Sequence, residues 1–212
     1  MEKVILFQGD SITDCRRIRE LSDNLGLGYP NLVSAELGFE NPEKYLFLNR
    51  GISGNRIVDL YARMKVDIIN LKPDYLSILI GVNDVWHEIP GKNGVATEKY
   101  EKIYDMLITE LKEELPELKI IIMEPFVLPG SATVDCPEVP DRWQRFSQDV
   151  YDHAAAARRV AEKHNLPFLE LQAALDEADA KAPGYWLSDG VHPTPFGHEL
   201  LKRRWLELFR TL

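Results

Sequence analysis

Short apolar runs alternate with longer amphipathic segments along this chain, a pattern that predicts alternating strands and helices. Five runs are apolar on both sides of the pleat, as expected of parallel strands covered on both faces: 3–8, 45–49, 75–80, 119–124 and 167–171. Helical spacing fills the gaps, most clearly in the Ala-rich segment 143–164. Pro30 and Pro195 stand where helices are expected to begin.

The alternation predicts a doubly wound α/β fold, because right-handed crossovers place helices on both faces of a parallel sheet. The 212 residues are enough for a three-layer αβα sandwich, so we expect residues 1–212 to form a single domain. The irregular segment 127–141 follows the fourth predicted strand, and its length is typical of functional loops. We expect it to lie over the carboxyl edge of the sheet, where such folds place their sites.

Composition narrows the class of protein. Hydrophobic residues make up 45% of the chain and charged residues 28%, which are globular values. No apolar stretch is long enough for a transmembrane helix. The apolar run 4–7 near the start is too short for a signal peptide, and we interpret it as a buried strand in a cytoplasmic protein.

Charge and cysteine content argue against several partners. The formal net charge of −9 argues against nucleic acid and anionic membranes as partners, because both are negatively charged themselves. Cys15 and Cys136 have neither a disulfide framework nor zinc-ligand spacing, and two unpaired thiols suit a reducing compartment.

The first chemistry-bearing motif is Gly-Asp-Ser-Ile-Thr-Asp at 9–14, directly after the first strand. It would put the Ser11 hydroxyl at the ligand edge of the sheet. The alternative is a simple turn, in which Ser11 or Asp14 caps the next helix. The motif is not a G-x-S-x-G elbow, because Thr13 occupies the place of the second glycine.

The second motif places Asp189 and His192 three residues apart, just before the last helix. A carboxylate at that spacing can hold the imidazole tautomer while the other ring nitrogen faces a nucleophile. The alternatives are an Asx turn leading into Pro193 and a metal site that adds His198. The metal site is disfavoured, because no further acid or cysteine cluster accompanies it.

Two further loops follow the second and third strands. A backbone N–H at Gly54 and the side-chain amide of Asn83 could both donate hydrogen bonds to an oxyanion, although either loop could simply cap a helix. The loops that carry Ser11, Gly54, Asn83 and the Asp-His motif all meet at one sheet edge. Together they supply a nucleophile, a base, an orienting acid and oxyanion donors.

These four blocks resemble those of the GDSL, or SGNH, hydrolase superfamily, in the family's order and over nearly the whole chain. The resemblance implies a flavodoxin-like five-stranded parallel sheet without a metal or organic cofactor. It implies Ser11 as nucleophile, Asp189 and His192 as its partners, and the Ser11 and Gly54 N–H groups with Asn83 as the oxyanion hole. Ile12, where the family name has Leu, is a minor departure.

The stretches FQGDSITDC, NRGISGNRIVDL and GVNDVW are also similar to those of intracellular bacterial acetylxylan esterases within this superfamily. That resemblance implies a small acetylated carbohydrate as substrate, with xylo-oligosaccharides favoured. We expect Asp10, Trp86 and Trp186 to contact it, although wall packing is the alternative for the two aromatic side chains. A homo-oligomer is compatible with the sequence.

Two other functions remain open. A lysophospholipase, a thioesterase or a short-chain lipase would use the same chemistry on a longer acyl chain. A flavodoxin-like binding module could instead hold a phosphate at the Ser11 turn. Such a module would have no need for the Asp189-x-x-His192 pair.

Overall fold

Five parallel strands form the centre of the computed structural model, which describes residues 2–212. They are β1 (Lys3–Gly9), β2 (Tyr45–Asn49), β3 (Tyr75–Leu79), β4 (Lys119–Met123) and β5 (Phe168–Leu169). Their order across the sheet is β2-β1-β3-β4-β5, the flavodoxin-like order. This order reverses direction between β1 and β3, and ligand sites of such sheets lie at that switch point.

Helices connect the strands and cover both faces of the sheet. They are α1 (Ser11–Asp14), α2 (Tyr29–Glu40), α3 (Ile57–Asp67), α4 (Val82–Trp86), α5 (Glu88–Gly91), α6 (Thr97–Glu114), α7 (Arg142–His164), α8 (Gln172–Lys181) and α9 (Pro195–Phe209), with a 3-10 turn at Ile69–Leu71. Pro30 and Pro195 lie in the first turns of α2 and α9, as predicted. The predicted αβα sandwich is thereby confirmed.

Alternating side chains of the strands face two separate apolar layers. In β1, Ile5 and Phe7 pack with residues of α2, α8 and α9, whereas Leu6 packs on the opposite face with residues of α3 and α6. Helix α7 contributes to both layers, with Phe146 on the first face and Ala157 on the second. Burial on both faces explains why the strands are continuous apolar runs.

The fifth strand is shorter than the predicted 167–171. Its two residues pair with β4, but the chain then leaves the sheet, because the Glu124 carboxylate accepts hydrogen bonds from the N–H groups of Leu171 and Gln172 at 2.6 and 2.8 Å. The Glu124 side chain thus takes the place of the strand-to-strand hydrogen bonds that the apolar pattern predicts for these residues. Within residues 2–212, no helix has the length and apolar character needed to cross a membrane.

Candidate active site

Ser11 is the first residue of α1, directly beyond the carboxyl end of β1. The N-cap of this short helix is Asp10, whose Oδ1 accepts from the Ile12 N–H at 3.0 Å. Neither Ser11 nor Asp14 has the capping role that the alternative interpretation gave them. The Ser11 hydroxyl is therefore available for another partner, and its Oγ lies 2.9 Å from Nε2 of His192.

His192 and Asp189 form the second link of this arrangement. The Nδ1 atom of His192 lies 2.7 Å from Oδ2 of Asp189. An ionised carboxylate only accepts hydrogen bonds, so this contact places the proton on Nδ1 and leaves the Nε2 lone pair facing the Ser11 hydroxyl. The geometry is that of a nucleophile, a base and an orienting acid.

The Asp189 carboxylate is held in its charged form. Burial alone would raise its pKa, but the backbone N–H of His192, the imidazole and the N–H of Val191 outweigh burial and hold the pKa below its usual value. The two backbone N–H groups donate to Oδ1 at 2.8 and 2.9 Å. This is the Asx turn that the sequence offered as an alternative, and it coexists with the imidazole contact.

The loop 127–141 supports this turn from behind. The N–H groups of Leu128 and Ala132 donate to the carbonyls of Gly190 and Asp189, both at 2.9 Å. Gly190 has φ 98°, and a Cβ atom there would lie 2.5 Å from the Leu128 carbonyl, so glycine is required. Among the described residues, those of 127–141 do not line the cleft at Ser11. The loop therefore supports the turn that carries Asp189, while Ala132 lines a separate pocket beside Trp86.

The loops of Gly54 and Asn83 are joined to each other. The Asn83 amide donates one hydrogen bond to the Asn55 carbonyl at 3.1 Å, which leaves its second N–H for another acceptor. Gly54 has φ 83°, a conformation that L side chains rarely adopt. The N-cap position of α3 is Arg56, and the Ile57 N–H donates to the Asp84 carboxylate, so the two polar residues of this loop that could have capped the helix, Ser53 and Asn55, do not do so.

Asn49 is a structural residue whose role the motifs in the sequence did not indicate. Its amide donates to the carbonyls of Thr13 and Leu25 at 2.6 and 2.9 Å, and its Oδ1 accepts from the Gly51 N–H at 2.8 Å. This buried side chain thereby ties the Ser11 turn to the loop that carries Gly54. The sequence did contain one sign of this role, because Asn49 is a polar residue at the end of the apolar strand β2.

The three expected substrate contacts fall in different surroundings. The Trp86 ring lies 5.7 Å from the His192 ring, centroid to centroid. Trp186 instead lines a separate groove with Tyr185 and Phe196. Asp10 is only 1% exposed and serves as the N-cap of α1, and its contact with a substrate stays a prediction.

Burial also controls the charge of Asp10. It raises the pKa of this carboxyl to about 7, against the opposing effects of the Ile12 N–H and the nearby His192. Its Oδ2 atom has no hydrogen-bond partner within residues 2–212. Asp10 is thus a helix cap that is largely neutral below pH 7.

His198 belongs to the wall of the cleft. Its Nδ1 accepts from the Tyr29 N–H at 3.1 Å, and its Nε2 lies 3.3 Å from the Cys15 sulfur. Burial lowers its pKa to about 4, so the ring is neutral at pH 7. No group of three or more His, Cys, Asp or Glu side chains within residues 2–212 is arranged to hold a metal ion.

Known proteins resemble the chain over nearly its whole length. Residues 7–200 match the GDSL-like lipase/acylhydrolase family. An acetylxylan esterase of Geobacillus stearothermophilus is 36% identical over 95% of this chain and 91% of its own. The crystal structure of Axe2, an acetylxylan esterase from that organism, is 35% identical with TM-score 0.82, covering 97% of this chain and 93% of its own. LAE5, an alpha/beta hydrolase enzyme from the metagenome of Lake Arreo in Spain, is 28% identical with TM-score 0.85, covering 97% and 94%.

Proposed function

Because the chain belongs to the GDSL-like lipase/acylhydrolase family and is a carboxylic ester hydrolase, we propose that Ser11, His192 and Asp189 perform its hydrolysis. The observation that carries this proposal is a relay of two hydrogen bonds: Ser11 Oγ lies 2.9 Å from His192 Nε2, and His192 Nδ1 lies 2.7 Å from Asp189 Oδ2. The relay lies at the switch point of the sheet, where ligands of such folds bind.

The proposed reaction is a two-step acyl transfer. His192 Nε2 takes the Ser11 proton as Oγ attacks the ester carbonyl, and Asp189 stabilises the imidazolium that forms. The N–H groups of Ser11 and Gly54 and the free N–H of the Asn83 amide hold the tetrahedral oxyanion. His192 then gives its proton to the departing alcohol oxygen. Water repeats the sequence on the acyl-enzyme and releases the acid.

The proposed substrate is a small acetylated carbohydrate, with xylo-oligosaccharides favoured. The similarity to acetylxylan esterase of Geobacillus stearothermophilus, at 36% identity in the sequence match and 35% in the structural match, supports this assignment. The cleft beside Ser11 supports it independently, because charged and polar side chains such as Asp14, Arg16 and Ser53 form much of its lining. A long acyl chain would need an apolar trench, whereas sugar hydroxyls need polar partners.

Activity on acetylated xylo-oligosaccharides beside a series of nitrophenyl esters tests this proposal. We expect acetate release from the oligosaccharides and a rate on the nitrophenyl esters that peaks at acetyl. The Ser11→Ala protein serves as the blank for contaminating esterases. A peak at octanoyl or longer esters, with no acetate released from the sugars, would favour a lipase or lysophospholipase and reject the deacetylase.

We also infer a cytoplasmic enzyme made of one hydrolase domain over residues 1–212. Both Cys15 and Cys136 are free thiols, which fits a reducing compartment. The relay joins Ser11 near one end of the chain to His192 near the other, which fits a single domain. Cell fractionation and limited proteolysis test the two inferences. Activity in a secreted fraction, or two protease-resistant fragments, would reject them.

A further inference from the structure

The cleft beside Ser11 extends along the segment that follows α1. Its volume is about 620 Å³, far more than an acetyl group needs, and it contains His192, the group that protonates the departing alcohol. Because the departing oxygen must lie within reach of His192, we assign this space to the alcohol side of the ester. Along this side the wall carries three arginines, Arg16, Arg17 and Arg19.

One of these arginines is neutralised within the wall. Arg19 forms an ion pair of 2.6 Å with Oδ2 of Asp14, an acidic residue that also lines the cleft. The remaining hydrogen bonds of Asp14 come from backbone, from the N–H groups of Ser53 and Arg17 at 3.0 and 3.2 Å. Both oxygens of the Asp14 carboxylate are thereby occupied by Arg19 and by backbone N–H groups.

The other two arginines have no carboxylate partner within residues 2–212. Arg17 donates from Nε to the Gly51 carbonyl at 2.8 Å, and Arg16 forms neither a hydrogen bond nor an ion pair through its side chain. Elsewhere in this acidic protein most arginines pair with a carboxylate, as Arg63 does with Asp67 at 2.8 Å. Two unpaired guanidinium groups in the cleft are an exception to that pattern.

The backbone fixes where these side chains emerge. Cys15 and Arg16 both have left-handed backbone conformations, with φ 37° and 63°. The N–H of Arg17 donates back to the Asp14 carbonyl at 2.9 Å, and the N–H of Leu27 donates to the Cys15 carbonyl at 2.8 Å. Such conformations persist where the surrounding contacts hold them, often in ligand-binding segments.

Arg17 lies among charges of both signs. Burial of its guanidinium lowers its pKa; Asp14 opposes this effect, and the like charges of Arg50 and Arg19 add to it. An anion in this part of the cleft would offset the repulsion from the two arginines and form charge-assisted hydrogen bonds. Asp14 in the same wall favours a single negative charge over a double one.

We propose that Arg16 and Arg17 form a subsite for a carboxylate on the alcohol side of the ester, so that the enzyme favours acetylated oligosaccharides that also carry a uronic acid. The inference rests on the proposed function. The planar guanidinium matches a carboxylate through two parallel hydrogen bonds.

A pair of substrates that differ only in charge tests the subsite. The first is an acetylated xylo-oligosaccharide with a uronic acid branch, and the second is the same molecule with the carboxyl group masked as its methyl ester. For the wild-type enzyme we expect kcat/KM to be roughly tenfold higher on the free acid, as one charge-assisted hydrogen bond allows. An acetylated sugar phosphate is the third substrate, and it should be used less well than the uronic acid.

Three variants locate the preference in the cleft. Arg16→Gln breaks no hydrogen bond of the fold and should reduce the acid-to-ester ratio to about twofold. Arg17→Gln should reduce it as well, but it also removes a contact to Gly51. Arg145→Gln is the matched control, because Arg145 lies on the exposed face of α7 and its removal changes net charge without touching the cleft. Its ratio should equal that of wild type.

The outcomes separate this inference from the proposed function. Equal rates of the wild-type enzyme on the acid and its methyl ester would overturn the subsite and leave the deacetylase intact. A ratio that falls equally in Arg145→Gln, or a preference for the sugar phosphate, would also overturn it. Hydrolysis of nitrophenyl acetate without release of acetate from either sugar would reject both proposals.

Discussion

Asp10, next to the proposed nucleophile, should make the stability of the protein depend on pH. Its carboxyl is 1% exposed, and burial raises its pKa from 3.8 to about 7. As pH rises from 3.8 to about 7, Asp10 loses its proton in the unfolded chain but keeps it in the folded protein. The free energy of unfolding therefore falls over this interval and levels off above it.

The size of the effect follows from the shift. Each pH unit of the interval costs about 1.4 kcal/mol, so the full penalty is on the order of 4 kcal/mol at pH 8. Asp10→Asn removes the ionisable group. Its side-chain oxygen can still accept from the Ile12 N–H, because Asn and Asp are comparable N-caps. The variant should gain stability over wild type as pH rises.

Urea unfolding at pH 4.5 and pH 8 measures this gain. Between these two pH values the difference in free energy of unfolding between Asp10→Asn and wild type should grow by about 3 kcal/mol in favour of the variant. Asp23→Asn, on the exposed surface, is the matched control and should show no such growth. A difference for Asp10→Asn that is the same at both pH values would refute the reasoning.

Two further substitutions test the parts of the site. Asp189→Asn would present an amide to Nδ1 of His192 and favour the wrong tautomer, so kcat on nitrophenyl acetate should fall about 10⁴-fold with an unchanged circular dichroism spectrum; a loss below tenfold would contradict the orienting role. Asn83→Ala should lower kcat by about 10²–10³ with little change in KM, because its free N–H is proposed to act only in the transition state; an unchanged rate would remove it from the oxyanion hole.

The sheet was predictable from sequence because both of its faces are buried. Each strand is then an apolar run, and four of the five predicted runs differ from the observed strands by at most one residue at the carboxyl end. The fifth strand was overpredicted, because the Glu124 carboxylate takes the backbone N–H groups that follow it. A side chain distant in sequence makes that contact, and a local pattern carries no signal for it.

That the loops of Ser11, Gly54 and Asn83 lie at one edge of the sheet was also predictable, since loops that follow parallel strands meet there. The turn of Asp189 and His192 precedes α9 and follows no strand, and it joins them through the contact with Ser11. The neighbours of those residues were harder to assign. Asp10 and Trp186 flank the motifs in sequence, but the first turns inward as a helix cap and the second lines another groove. Adjacency in sequence does not determine the direction of a side chain. The role of Asn49 was not predictable because it depends on contacts between separate parts of the chain. Its three hydrogen-bond partners lie 2 to 36 positions away in sequence.

The central claim is that Ser11 is the nucleophile of an ester hydrolase. The most direct test is kcat of Ser11→Ala on nitrophenyl acetate, with Ser34→Ala as the control because Ser34 is a partly exposed residue of α2 that does not line the cleft. The account predicts that kcat falls by about 10⁴-fold or more in Ser11→Ala and is unchanged in Ser34→Ala. A Ser11→Ala protein that hydrolyses the ester at a near-native rate would contradict it.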